Sequence, residues 1–211
     1  VGSAAVKAAI ARGYSVAAID VAPAAAAHLS EALIVADADL TKADGAAKAI
    51  ADVISKFGKL DALVNIAGGF VWQTVSGGAD AEWERMFTLN LKTAYHASKA
   101  ALPALEKSKG AIVNIGANAA TKAAAGMGAY TASKAGVHKL TESLAEEYKG
   151  KVRVNALLPS IVDTAINRKD MPDADFSTWV HPDELADAIL FLVSPESRAI
   201  TGALIPIIGR V

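Results

Sequence analysis

Residues 60–69 read LDALVNIAGG, and the fold turns on how they are read. LDALVNI is close to a continuous apolar run, which suits a strand covered on both faces, as in a parallel sheet. It ends abruptly in Ala67, Gly68 and Gly69. Small residues there let the backbone run close to a ligand at the carboxyl end of a sheet, although a plain turn has the same composition.

Similar runs recur on both sides. Strands are expected at 15–20 (SVAAID), 33–36, 60–66, 111–116 (AIVNIG), 152–158 (VRVNALL) and 203–208. Helical patterns fall between them, at roughly 3–12, 44–57, 80–107, 126–149 and 183–194. In the last of these, Leu185, Ile189, Leu192 and Val193 form one apolar stripe, and Pro182 stands where a helix readily begins. Alternating strands and helices predict an α/β fold with a doubly wound parallel sheet, in one domain spanning 1–211.

The remaining composition excludes several classes. The 211 residues carry a formal net charge of −1 and no block of Lys/Arg, so nothing provides an electrostatic footprint for nucleic acid. There are no cysteines, which removes disulfides, thiolate metal sites and thiol nucleophiles. His28, His96, His138 and His181 show no ligand spacing and read as surface or capping residues, so no metal is expected. No apolar run approaches the ~18–20 residues of a membrane helix. A cytoplasmic protein without a membrane partner is the expectation.

Val1-Gly2-Ser3 leads straight into a helical pattern, followed by a strand ending at Asp20. A dinucleotide-binding unit places a strand and a glycine-rich turn before that helix, so a first, central strand is expected upstream of this sequence. Gly2 and Asp20 then form the tail of a glycine-rich fingerprint, with a helix N-terminus for the pyrophosphate and an acidic group for the ribose hydroxyls. A carboxylate at Asp20 repels a 2′-phosphate, which favours NAD(H) over NADP(H). Asp39 and Leu40 lie where an adenine-contacting loop can form, and Asp39 reads equally as a helix cap.

YTASK, at 130–134, places Tyr130 and Lys134 four residues apart on one helix face. A lysine ammonium about 5 Å from a phenol, at an effective dielectric near 20, contributes roughly 3 kcal/mol. That would bring a tyrosine from ~10 towards ~8, a useful general acid. Alone, the same spacing is ordinary helix.

It is not alone. NIAG at 65–68, Asn90 within FTLNLKTAYHASKAALP, VNI at 113–115, YTASK, VRVNALLPS at 152–160, and PDELADAILFLVS followed by TGALIPI occur in order. Together they resemble the short-chain dehydrogenase/reductase family over essentially the whole chain. The resemblance implies a three-layer α/β/α, Rossmann-like fold, a nicotinamide cofactor and a catalytic set of Asn, Ser, Tyr and Lys. Tyr130 would be the proton donor. Lys134 would hold the nicotinamide ribose and lower the tyrosine pKa, and Asn90 would support a proton-relay water. Ala67, Gly68, Gly69, Pro159 and Thr164 would line the cofactor, Thr164 at the carboxamide. Pro159-Ser160 replaces the family's usual Pro-Gly.

The family's substrate-binding serine falls at Ala117, which has no hydrogen bond to donate. One branch, dihydropteridine reductase, also lacks it, and DTAINRKDMPDADFSTW at 163–179 resembles that branch. The resemblance implies a quinonoid dihydropterin substrate, whose conjugated imine can take hydride and a proton without that serine. Phe70, Trp72, Phe176 and Trp179 fall in loops where they can stack a flat heterocycle or simply anchor the loops. The alternatives are another carbonyl or alcohol substrate, with Asn118 or Thr121 as replacement donor, or a catalytically weak NADH-binding sensor. The helices at 80–107 and 126–149 carry more apolar and small residues than one packed face needs. In the resembled family they form the subunit interface, so a homodimer or homotetramer is expected.

Overall fold

The computed structural model describes residues 1–22, 29 and 31–210; His28 lies outside the described residues. In chain order the elements are α1 (Gly2–Ala11), β1 (Ala17–Ile19), β2 (Leu33–Val35), α2 (Ala43–Phe57), β3 (Ala62–Asn65) and α3 (Asp80–Met86). A π-helical segment (Phe87–Lys92) follows, then α4 (Thr93–Ser108), β4 (Ala111–Ile115), α5 (Gly128–Glu147) and β5 (Arg153–Pro159). The chain closes with α6 (Ala165–Asp170), α7 (Pro182–Val193) and β6 (Leu204–Ile207). Every strand pairing is parallel.

The described strands form two hydrogen-bonded groups, β1-β2 and β3-β4-β5-β6. Ile19 of β1 packs against the same core as Leu63 of β3, so both groups share one interior. The layers follow from side-chain alternation along the strands. Ile112 of β4 faces a cluster with Ile50 of α2, Leu105 of α4 and Leu144 of α5. Its neighbour Val113 faces the opposite cluster, with Ala5 of α1 and Leu185 and Ile189 of α7. Helices therefore cover both faces, the Rossmann-like three-layer arrangement. It also explains why β4 has no polar side: four of its five residues are buried.

Local signals account for the helix boundaries. His181 caps α7 and Glu184 returns a bond to the His181 N–H, with Pro182 in the first turn. The helix expected over 80–107 is instead two α-segments joined by the π-helical Phe87–Lys92, a register change that hydrophobic periodicity does not announce. No described helix is long and apolar enough to cross a membrane. Within the four-stranded sheet, the segments 66–79, 116–127 and 160–181 leave along one edge, after β3, β4 and β5.

Candidate active site

Helix α5 starts at that edge. Gly126, just before it, has φ +77°, and the Trp72 indole lies where its Cβ would be, so only glycine fits. Tyr130 stands in the first turn, half-buried, with the Phe70 ring edge-on at 5.0 Å between centroids. Lys134 follows one turn later, 6% exposed, and its Nζ donates to the Ile115 carbonyl at 2.7 Å. Burial pushes Lys134 down to about 8 and Tyr130 up to about 12. The expected lowering of the tyrosine is overturned: loss of water around the phenol outweighs the lysine, whose ammonium is drawn towards Ile115.

Asn90, 1% exposed, sits within the π-helical segment. Its Oδ1 accepts from Gly69 N at 2.9 Å, while Nδ2 donates to Gly69 O at 3.1 Å and to Ser133 Oγ at 2.9 Å. Ser133 Oγ in turn donates to the Tyr130 carbonyl at 2.7 Å. One side chain thus fixes the turn after β3 and, through Ser133, the first turn of α5. A Cβ on Gly68 would fall 2.5 Å from Asn90 Oδ1 and 3.4 Å from Lys134 Nζ, so this backbone passes directly over both.

The remaining predicted residues are spread along the strand ends. Asp20 follows β1; its carboxylate accepts from Ala22 N at 2.8 Å, and its carbonyl accepts from Ala38 N at 3.2 Å. Asp39 is therefore on a neighbouring segment. It accepts from Thr41 N at 3.0 Å and pairs with Lys42 at 3.2 Å; the hydrogen bond from the Thr41 hydroxyl holds its carboxyl below the usual range. The N-cap of α2 is Lys42, so Asp39 closes the preceding turn rather than capping the helix. Leu40 O meets His96 Nδ1 at 3.2 Å, tying this loop to α4. Gly2 opens α1, with clear space where a Cβ would stand. Pro159 ends β5, and Thr164 caps α6 by accepting from Asn167 N at 3.2 Å.

Could these residues hold a dinucleotide? The buried Lys134 ammonium has one hydrogen-bond acceptor among the described residues, a carbonyl, and no carboxylate. Its remaining donors suit ribose hydroxyls. The residues fit the group.

The segment after β4 holds Ala117, 3% exposed. Thr121 Oγ1 donates to Asn118 O at 2.7 Å, so its hydrogen is committed. The four aromatic residues divide. Phe176 and Trp179 meet at a tilt, 4.8 Å between centroids, Trp179 is buried, and Arg168 lies over Phe176 at 4.7 Å: these anchor their loop. Phe70 and Trp72 remain 53% and 61% exposed. Sequence reasoning gave no role to Ser133, whose partner is 43 residues away. It also read His138 as a surface or capping residue, whereas it is buried with Nε2 accepting from Ala117 N at 3.3 Å. Its place four residues after Lys134 was the signal available.

The family described as short chain dehydrogenase matches residues 1–175. The chain is 34% identical to 2-(S)-hydroxypropyl-CoM dehydrogenase 3 of Xanthobacter autotrophicus, over 99% of this chain and 91% of that one. Its structure resembles ligand-free aldohexose dehydrogenase of Thermoplasma acidophilum, with TM-score 0.89 and 28% identity over 99% of this chain and 88% of that one. It also resembles ElxO with NADP bound, with TM-score 0.90 and 25% identity over 99% and 92%.

Proposed function

This chain belongs to the short chain dehydrogenase family, and on that premise we propose that it is an NAD(P)H-dependent reductase in which Tyr130 gives the proton. The observation that carries this is the buried Lys134 ammonium beside a carbonyl, one turn after Tyr130. A buried cation without a carboxylate is costly, and it is kept where its charge has a chemical use. A bound reduced nicotinamide supplies hydride to the substrate. Tyr130 Oη donates its proton to the substrate heteroatom, and Lys134 stabilises the phenolate left behind. With a pKa of about 12, Tyr130 is protonated at neutral pH. With a carbonyl substrate the proton goes to an alkoxide, about as basic as hydroxide, whose conjugate acid has a pKa near ~15.7, so that transfer is downhill. Asn90 positions Tyr130 through Ser133 and holds the Gly69 turn.

Gly2, Asp20, Asp39, Leu40, Ala67, Gly68, Gly69, Tyr130, Lys134, Pro159 and Thr164 are the residues proposed to hold the dinucleotide. The Asp20 carboxylate favours NADH over NADPH within this reading. The proposed substrate is a flat conjugated imine of the quinonoid dihydropterin kind. Two observations support it: a methyl group at Ala117, and the exposed Phe70 and Trp72 rings in the turn after β3. A carbonyl or alcohol substrate is the second reading, favoured by the names of two similar proteins, a hydroxypropyl-CoM and an aldohexose dehydrogenase.

Oxidation of NADH and of NADPH, measured with quinonoid dihydropterin, short ketones and aldoses, separates the two readings. The first expects the dihydropterin to lead in kcat/KM by about a hundredfold or more, because a ketone lacks its second donor. A ketone or sugar leading instead replaces it with the second. Tyr130→Phe should lower kcat about 10²–10⁴-fold with dinucleotide affinity unchanged. Undiminished turnover in that variant removes Tyr130 as the acid.

A further inference from the structure

His138 is buried on α5, one turn beyond Lys134 and two beyond Tyr130. Its Nε2 accepts the Ala117 N–H at 3.3 Å. The two side chains act on the same outgoing strand: Lys134 takes the carbonyl of residue 115, and His138 the N–H of residue 117. Polar groups two residues apart point to the same edge of an extended chain, so one helix face can meet both. Ala117 is extended, at φ −157° and ψ 137°. Between the contacts, a Cβ on Gly116 would come within 2.6 Å of His138 Nε2, so the imidazole fills the space a side chain there would need. Gly116 N still donates to Leu157 O of β5 at 2.9 Å, while the N–H of the next residue, Ala117, goes to the imidazole.

From this geometry we infer that neutral His138 is a positioning residue: it holds the segment 116–118 against α5, and so sets the substrate wall beside Tyr130. The inference rests on the proposed reaction for its effect on catalysis, not for the hydrogen bond itself. Only an unprotonated Nε2 can accept, so the proton sits on Nδ1. Protonation turns Nε2 into a donor facing a donor, and the contact breaks. The charged groups acting on the ring are Lys134, Lys139 and Glu142, all on α5; the facing residues Gly116, Ala117 and Leu157 carry no titrating group. Burial first, then the charge of Lys134, lowers His138 from the usual 6.5, so the contact is intact at neutral pH and lost on acidification below that value.

The test uses the full chain and three proteins: wild type, His138→Leu, which cannot accept, and His138→Gln, whose Oε1 can accept but does not titrate. Two quantities are measured, hydrogen exchange at the Ala117 amide and the pH profile of kcat/KM. In His138→Leu the Ala117 amide should exchange about tenfold faster or more, and KM should rise about tenfold, with kcat and dinucleotide affinity nearly unchanged. His138→Gln should restore both, while lacking the acid limb of the wild-type profile. Unchanged exchange in His138→Leu, or an acid limb retained in His138→Gln, overturns the inference. If His138→Leu does not fold, the comparison of wild type with His138→Gln decides. Exchange needs no substrate, so a wild type that turns nothing over sinks the proposed reaction while the exchange result still settles the hydrogen bond.

Discussion

Lys134 is the residue at which stability and proposed chemistry oppose each other. Its pKa, about 8 when folded against 10.5 ordinarily, means that burial disfavours the charged form. The sign follows from proton counting. Between about pH 8 and 10.5 the unfolded chain binds more protons than the folded one, so wild-type stability should rise with pH across that window. Below about 8 the lysine is charged in both states, and the full cost is present. Lys134→Met should therefore abolish turnover yet raise stability at pH 7 by about 1–2 kcal/mol, because the recovered burial cost exceeds the loss of one bond to Ile115 O. Urea denaturation at pH 7 and pH 10 checks this: a less stable variant, or one with the wild-type pH slope, contradicts it. The pairing of Tyr130 with Lys134 was legible in YTASK because it needs only helix periodicity. The direction of the tyrosine's pKa was not, because burial is a property of everything packed around it. Ser133 and His138 were hidden for a related reason: each acquires its role from a partner on another element, Asn90 or Ala117.

At the scale of an element, the segment after β5 braces itself. Arg168 grips Asp163 through two hydrogen bonds of 2.5 and 2.7 Å and covers the Phe176 ring, which packs at a tilt against buried Trp179. Thr164 caps α6, and Asn167 Nδ2 donates to Val162 O at 2.8 Å. Arg168 joins both halves of the segment. Arg168→Ala should loosen it, raising KM about five- to tenfold and speeding proteolytic cleavage within 160–181. Global stability should change by about 1 kcal/mol or less, since the Arg168 side chain is half exposed and its contacts stay within one surface segment. Arg168→Lys should rescue only in part, lacking the planar two-pronged contact. Unchanged KM and proteolysis in Arg168→Ala would show that the segment is held by Trp179 alone. Sequence patterns located every described strand and the five longer helices, because continuous apolar runs and 3.6-residue stripes leave a mark over many residues. They missed α6, whose six residues are too few to show a period, and the π-helical turn, whose shift is compensated within one stripe.

At the scale of the whole molecule, a buried polar chain runs over the sheet face that α4 and α5 cover. Asn65 Nδ2 donates to Asn114 Oδ1 at 2.8 Å and to Ser98 Oγ at 3.0 Å, and Asn114 Nδ2 donates to Thr141 Oγ1 at 2.9 Å. It ties β3 and β4 to both of these helices, α4 through Ser98 and α5 through Thr141. These two helices also bear the site, Asn90 just upstream of α4 and Tyr130 and Lys134 on α5. On their outer face Leu91, Tyr95 and Leu140 line a shallow, mainly apolar groove bordered by Lys92 and His96. Tyr95 is 42% exposed there, with Lys99 over its ring. A second copy meeting this face would bury the same patch on both partners, as a two-fold interface requires. It would also stiffen the two helices that carry Asn90, Tyr130 and Lys134. Sedimentation should therefore give at least twice the 21.6 kDa chain mass at micromolar concentration. Tyr95→Glu combined with Leu140→Glu should yield monomers, because each interface would then bury four unpaired carboxylates. Activity of those monomers should fall through both kcat and KM, since the loosened helices hold the proposed proton donor and the Gly69 turn alike. A wild type sedimenting as a monomer, or a double variant that keeps its assembly, would place any subunit contact on another face.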